Sequence, residues 1–244
     1  MVDSKIIVIG IVVIAAVGAA VTYYEIVITD RSKSVLTASE HLPVILVHGL
    51  AEDASVWKKW EDFLTEDRIK FYTITFQESD DKCGSALAHA RELAELVRNT
   101  KAETAFERVN IVGHSKGGID TRVYLANGTT DVENLIMIGT PNNGTPLAET
   151  TDACSPAISD VLPDSLATKS EMNRNTKYWT IAGDWLHATR GNPSIPGLDD
   201  GLVAVSSVES EEYFHSLGRT KHQHLDLLGE EEYNLARNVL LGMQ

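Results

Sequence analysis

The sequence predicts an α/β protein built on a mostly parallel sheet with helices on both faces. Short runs of consecutive apolar residues alternate along the 244-residue chain with amphipathic segments. Such runs are typical of strands buried on both faces, and parallel strands need helical crossovers. The 43% hydrophobic content is enough for one sizeable core. A long segment over about 145–175 interrupts the alternation, and an insertion of this length predicts a lid or a binding element.

The predicted elements follow from the hydrophobic periodicity of each segment. The strands are expected at 42–47, 71–76, 108–112, 135–138 and 178–182, and 202–205 is a further short apolar segment. The helices are expected at 85–100, 118–126 and 230–241, with another that begins at Ser55 as its N-cap.

The N-terminal end differs from the rest of the chain. Residues 6–21 form an uncharged run of Ile, Val, Ala and Gly, preceded by Lys5 and followed by Tyr23 and Tyr24. The run fits a cleaved signal peptide or an uncleaved membrane anchor better than a buried core helix, and of the first two we favour the anchor. The predicted organisation is a signal peptide or anchor over 1–24, a linker over 25–41 and a folded domain over 42–244. Either alternative predicts that the domain is membrane-anchored outside the cytoplasm, or secreted.

The charge balance disfavours nucleic acid as a partner. The chain carries 35 acidic and 21 basic residues, a net charge of −14, and phosphate binding needs the opposite sign. Cys83 and Cys154 are the two cysteines. A disulfide between them is permitted outside the cytoplasm, but the sequence does not determine whether they pair.

The segment 113–117 carries the strongest chemical signal. It reads Gly-His-Ser-Lys-Gly, directly after an apolar strand and before a predicted helix. This is the context in which a G-x-S-x-G pattern presents a serine on a sharp turn. Ser115 is therefore the candidate nucleophile, and the backbone N–H of Lys116 is a candidate donor to an oxyanion. The loop after the first strand supplies the second candidate donor, the N–H of Leu50.

A serine nucleophile needs a base and an acid, which in a parallel sheet of this kind follow it in the chain. Four histidines qualify by order: His187, His215, His222 and His224. We favour His224, because it lies in the loop before the closing helix, with His222 as the alternative. For the acid we favour Asp200 over Asp184 and Asp199.

These motifs together resemble the bacterial-type lipases and esterases of the α/β-hydrolase superfamily, over most of the chain from Leu42 onward. The matching segments are 47–50 (Val-His-Gly-Leu), 113–118 (Gly-His-Ser-Lys-Gly-Gly), 139–145 (Gly-Thr-Pro-Asn-Asn-Gly-Thr), 200–203 (Asp-Gly-Leu-Val) and 224–226 (His-Leu-Asp). The resemblance implies an α/β-hydrolase fold with a lid at about 145–175. It implies hydrolysis of carboxylic esters by Ser115, Asp200 and His224, with Leu50 and Lys116 as the oxyanion hole.

The resemblance also bears on cofactors, partners and alternatives. It implies no organic cofactor, and it leaves a calcium ion near the triad as an option, with Asp226 and Glu230 as ligands. The expected partners are an ester or lipid substrate and a membrane contacted through the N-terminal segment. The alternatives are an amidase, thioesterase or acyltransferase that uses the same triad, and a catalytically inactive binding module on a membrane anchor.

Overall fold

The computed structural model describes residues 40–77, 83–151, 153–185 and 192–243. The predicted signal peptide or anchor and nearly all of the linker lie outside these residues, as does His187. The chain from Ser39 to Gln244 forms one compact unit. Among the described residues, no helix combines the length and apolarity needed to cross a bilayer.

The centre of the fold is a sheet of six parallel strands in the order β2-β1-β3-β4-β5-β6. In chain order these are β1 Val44–Val47, β2 Phe71–Ile74, β3 Val109–His114, β4 Val132–Ile138, β5 Lys177–Gly183 and β6 Phe214–Thr220. The first five confirm the predicted strands, with ends that differ by a few residues.

The sixth strand was missed because its residues do not form an apolar run. β6 is an edge strand, and most of its side chains are exposed or only partly buried. The segment 202–205, which does look apolar, is outside the sheet. Ala204 of this segment forms an isolated antiparallel bridge with Asp199, and a one-turn helix begins at Val205.

Of the helices in the described residues, the first three in chain order and the last occur where the periodicity predicted them. The helices are α1 Lys58–Glu66, α2 Ala86–Thr104, α3 Lys116–Leu125, α4 Ser155–Asp160, α5 Val205–Val208 and α6 Glu230–Leu240. Ser85 caps α2 through its side chain. The prediction that Ser55 is an N-cap was wrong. Asp53 has the extended backbone of a cap and accepts a hydrogen bond from the Ser55 N–H, which starts the 3-10 turn Ala54–Trp57 before α1.

Alternating side chains of the strands build a core on each face of the sheet, as predicted for helices on both faces. Val44 and Leu46 of β1 pack in a cluster with residues of α1 and α6. Ile45 and Val47 of the same strand pack with residues of α2 and α3 on the opposite face. The packing of helices on both faces therefore fixes the register of the strands. Because β1 and β3 are parallel, their carboxyl ends lie at the same edge of the sheet.

The predicted lid insertion contains a 3-10 turn, Pro146–Thr150, and the short helix α4. Two contacts attach the insertion to the rest of the domain. Cys154, at the start of α4, forms a disulfide with Cys83, which lies just before α2. At the other end of α4, a carboxylate oxygen of Asp160 accepts a hydrogen bond from the Ala86 N–H at 2.5 Å. The insertion is thus held against α2 at two points.

Candidate active site

Ser115 lies in a strained turn between β3 and α3, at the carboxyl edge of the sheet. Its φ of 52° and ψ of −126° belong to a region that non-glycine residues rarely adopt, which costs about 1–3 kcal/mol. The flanking glycines allow the close approach. A Cβ on Gly117 would lie 2.5 Å from the carbonyl oxygens of Val47 and His48, so any side chain there would push the turn away from β1.

Three of the predicted site residues come together across more than 100 residues of sequence. The His224 Nε2 lies 2.8 Å from the Ser115 Oγ, and the His224 Nδ1 lies 2.7 Å from the Asp200 Oδ2. Ser115 follows β3, Asp200 lies in the long connection between β5 and β6, and His224 follows β6. A nucleophile, a base and an orienting acid need distances of this kind between them.

Asp200 is held in place by its own backbone surroundings. Its Oδ1 accepts hydrogen bonds from the N–H groups of Leu202 and Val203, at 3.0 and 2.8 Å. Its carboxylate is fully buried. The other oxygen, Oδ2, is therefore directed at the His224 ring. The backbone N–H of His224 also donates a hydrogen bond to the Asp200 carbonyl oxygen, at 2.9 Å.

The alternative acids and bases have other partners. Asp184 pairs with Lys221, and Asp199 accepts a hydrogen bond from the Gly201 N–H at 2.8 Å. His222 lies 2.7 Å from the buried Glu232 carboxylate, and the hydrogen bond to Glu232 raises the pKa of His222. His215 lies on the edge strand β6 with its ring against Trp179.

A mostly apolar cavity of about 240 Å³ opens beside the Ser115 hydroxyl. Leu50 and Lys116, the predicted oxyanion donors, both line it. The lid insertion supplies four of its apolar lining residues. Its apolar lining residues include Leu147, Ala148, Ile158, Val161, Leu202 and Leu225. A cavity of similar size at the opposite edge of the sheet, beside Asn134 and Trp179, contains none of the three site residues.

One cavity residue was missed at the level of sequence. Glu52 lines the cavity, accepts a hydrogen bond from the Gly49 N–H at 2.7 Å and contacts His114. It lies in a polar loop without any pattern, and only the folding of that loop over the turn at Ser115 brings it to the site. His114, the residue before Ser115, is buried beside His224.

The residues suggested for calcium do not fit such a site. In the described part of the chain, no group of three or more His, Cys, Asp or Glu side chains is arranged to hold a metal ion. Asp226 instead accepts a hydrogen bond from the Gln223 amide at 2.7 Å, and both Asp226 and Glu230 are exposed.

The parallel sheet, the strained serine turn and the order of the site residues define an α/β-hydrolase. The model of the palmitoyl protein thioesterase family matches residues 43–188. Because that match covers more than half of the chain, the protein belongs to this family, among the α/β-hydrolase lipases and esterases.

Individual relatives agree with this assignment. A triacylglycerol lipase of Pseudarthrobacter phenanthrenivorans is 33% identical over 121 residues, which are 46% of this chain and 37% of the relative. A triacylglycerol lipase of Burkholderia plantarii is 33% identical over 121 residues, 46% of this chain and 33% of the relative. The chain thus spans about a third of the length of these curated relatives. The Bacillus licheniformis lipase BlEst2 in mature form shares the fold at a TM-score of 0.66 and 20% identity, covering 82% of this chain and 92% of that chain.

Proposed function

We propose that this protein is a serine hydrolase that cleaves carboxylic esters with Ser115, His224 and Asp200 as its catalytic triad. The observation that carries the proposal is the pair of short contacts, 2.8 and 2.7 Å, that joins these three side chains at a strained turn. The similarity to triacylglycerol lipases supports the same reaction class.

In the proposed reaction, the Ser115 Oγ attacks the ester carbonyl while the His224 Nε2 takes the hydroxyl proton. Asp200 keeps the Nδ1–H of His224 directed at its carboxylate and stabilises the imidazolium that forms. The N–H groups of Leu50 and Lys116 hold the oxyanion of the tetrahedral intermediate. His224 then gives its proton to the departing alcohol, and a water molecule hydrolyses the acyl-enzyme by the same steps.

The cavity beside Ser115 supports an apolar acyl group as the part of the substrate that is recognised. Its lining is mainly aliphatic, from the lid insertion and from Leu202 and Leu225. Burying an acyl chain there is favourable by about 0.8 kcal/mol per methylene. An ester or lipid substrate is therefore the proposed partner, and the reaction needs no organic cofactor.

A thioester is the second candidate substrate, because the matching family model describes a palmitoyl protein thioesterase. The same triad acts on it, with a thiol instead of an alcohol as the leaving group. The ester and the thioester share the acyl group that the apolar cavity is proposed to bind. The lining of the cavity therefore favours neither substrate.

We also propose that residues 1–24 export the domain or anchor it to a membrane, with 25–41 as linker and 42–244 as catalytic domain. The uncharged run at 6–21 supports this. So does the Cys83–Cys154 disulfide, since such bonds persist in oxidising compartments. Fractionation of cells that produce the full chain tests the proposal, and catalytic domain found in the cytoplasm contradicts it.

The test of the reaction treats the full chain with a fluorophosphonate probe and maps the adduct by mass spectrometry. We expect labelling at Ser115 and none in the Ser115→Ala variant. Matched acyl esters and acyl thioesters are then hydrolysed in parallel to compare the two substrates. Labelling without either activity would favour an amidase or acyltransferase. A folded protein that neither labels nor turns over would contradict the proposal and favour a binding module.

A further inference from the structure

A single carboxylate oxygen links two of the loops that form the site. The Glu52 Oε2 accepts a hydrogen bond from the Gly49 N–H at 2.7 Å and lies 2.9 Å from the His114 Nδ1. Gly49 precedes the proposed oxyanion donor Leu50, and His114 precedes Ser115. The Glu52 side chain is only 14% exposed, so water screens these contacts weakly.

The other nitrogen of the same histidine reaches the third loop. The His114 Nε2 lies 3.1 Å from the backbone carbonyl oxygen of His224, and the two rings are 5.0 Å apart. Gly49, Glu52, His114 and His224 thus form one continuous chain of contacts across the site. None of these hydrogen bonds involves a side-chain atom of the triad.

The chemistry of the partners determines the protons on His114. A carbonyl oxygen only accepts hydrogen bonds, and so does an ionised carboxylate. Burial raises the pKa of Glu52, but the hydrogen bonds from His114 and Gly49 outweigh it and bring the pKa below its usual value, so the carboxylate is ionised at neutral pH. Both ring nitrogens of His114 must therefore carry a hydrogen for both contacts to be hydrogen bonds.

We propose that Glu52 and His114 form a buried ion pair that positions the backbone of His224 for the reaction proposed above. Both are positioning residues, because they act through His224 and do not touch the reacting atoms. The carboxylate also balances the positive charge of His114, which would otherwise oppose the imidazolium formed on His224 during the reaction. The role of this ion pair in turnover rests on the proposed function, whereas the existence of the ion pair does not.

The first experiment tests the ion pair without any substrate. Long-range ¹H–¹⁵N spectra of the histidine rings are recorded on the full chain at neutral pH, and His114 is assigned by its loss in His114→Gln. We expect the signature of a doubly protonated ring in the wild-type chain and of a neutral ring in Glu52→Gln. A neutral His114 in the wild-type chain would overturn the proposal.

The second experiment uses two substitutions of His114 that separate its two contacts. A Gln amide nitrogen reaches about as far as the Nε2 and retains the donor to the His224 carbonyl, whereas an Asn amide reaches only as far as the Nδ1. We expect kcat to fall about 10–100-fold in His114→Asn and in Glu52→Gln, with KM changed less than about twofold. We expect His114→Gln to retain at least about 10-fold more kcat than His114→Asn.

Controls separate this proposal from the proposed function and from loss of folding. Glu66→Gln makes the same chemical change at an exposed position of α1 and is expected to leave kcat unchanged. Thermal unfolding shows whether each variant is folded. Equal kcat in the two His114 variants, or wild-type kcat in folded Glu52→Gln, would overturn the positioning role. A wild-type chain without turnover would refute the proposed function, and the ring spectra would then decide the ion pair alone.

Discussion

The buried charges beneath Ser115 allow a quantitative prediction about stability. The Lys116 Nζ lies 2.5 Å from the Asp120 Oδ1 and 3.5 Å from the Asp160 Oδ2, and the side chains of Lys116 and Asp120 are 1% and 2% exposed. The second oxygen of Asp120 lies 2.7 Å from the His89 Nδ1. Asp120→Asn keeps the shape but removes the negative charge, and Lys116 is left with a more distant partner. Breaking a buried pair in this way costs about 3–5 kcal/mol.

An exposed ion pair in the same protein provides the matched control. The Lys169 Nζ lies 2.8 Å from the Asp164 Oδ1, with the two side chains 60% and 76% exposed. Solvent screens this pair, so Asp164→Asn is expected to cost about 0–1 kcal/mol. The same chemical change is thus compared at a buried and at an exposed ion pair.

Urea unfolding of the full chain, with the disulfide intact, measures both variants. We expect Asp120→Asn to lower the unfolding midpoint at an unchanged slope, and to lower the Tm by about 6–20 °C. The double variant Lys116→Met with Asp120→Leu removes both charges, so it should be more stable than Asp120→Asn. A free energy of unfolding for Asp120→Asn within about 1 kcal/mol of the wild type would refute the reasoning.

Three further predictions concern the lid insertion and the loop before α6. Replacing Cys83 and Cys154 by Ser opens a loop with a sequence separation of 71 and should lower the free energy of unfolding by about 4 kcal/mol; an unchanged urea midpoint would contradict this. Ala148→Phe fills the cavity beside Ser115, so kcat/KM for long acyl esters should fall about 10-fold or more while that for acetate esters is retained; equal losses across an ester series would contradict it. Because the hydrogen bond to Glu232 raises the pKa of His222, the stability it contributes is present below pH 6.5 and is lost as pH rises through the folded-state pKa. The Tm should therefore fall more between about pH 6 and 9 in the wild type than in His222→Gln, and parallel curves would contradict this.

Patterns confined to one segment of chain were readable from the sequence. Four of the five strands recognised in advance are largely buried, and burial on both faces leaves a continuous apolar signature. The edge strand β2 is only partly buried, but its side chains are still mostly apolar. The turn at Ser115 was equally readable, because its strained backbone needs glycine on both sides within five residues. Chain order then restricted the base to a few histidines and the acid to three aspartates.

Features that depend on distant segments were not readable in the same way. β6 lies at the edge of the sheet, and its half-exposed residues carry no apolar run. The pairing of Cys83 with Cys154 depends on how the lid insertion lies against α2. The cap at Asp53 was misassigned to Ser55, since both residue types serve as caps and only the backbone angles distinguish them.

The site shows the same division between sequence and tertiary structure. Residue type and order determined that a serine, a histidine and an aspartate were available. Which aspartate meets His224 was decided by the fold, because Asp184 and Asp200 differ in partners and not in chemistry. Glu52 became a neighbour of His114 only when the loop after β1 folded over the turn after β3. Hydrophobic periodicity and backbone strain depend on residues close together in the chain, so the sequence determines them. A hydrogen bond between distant loops depends on distances that are fixed only when the strands and helices pack together.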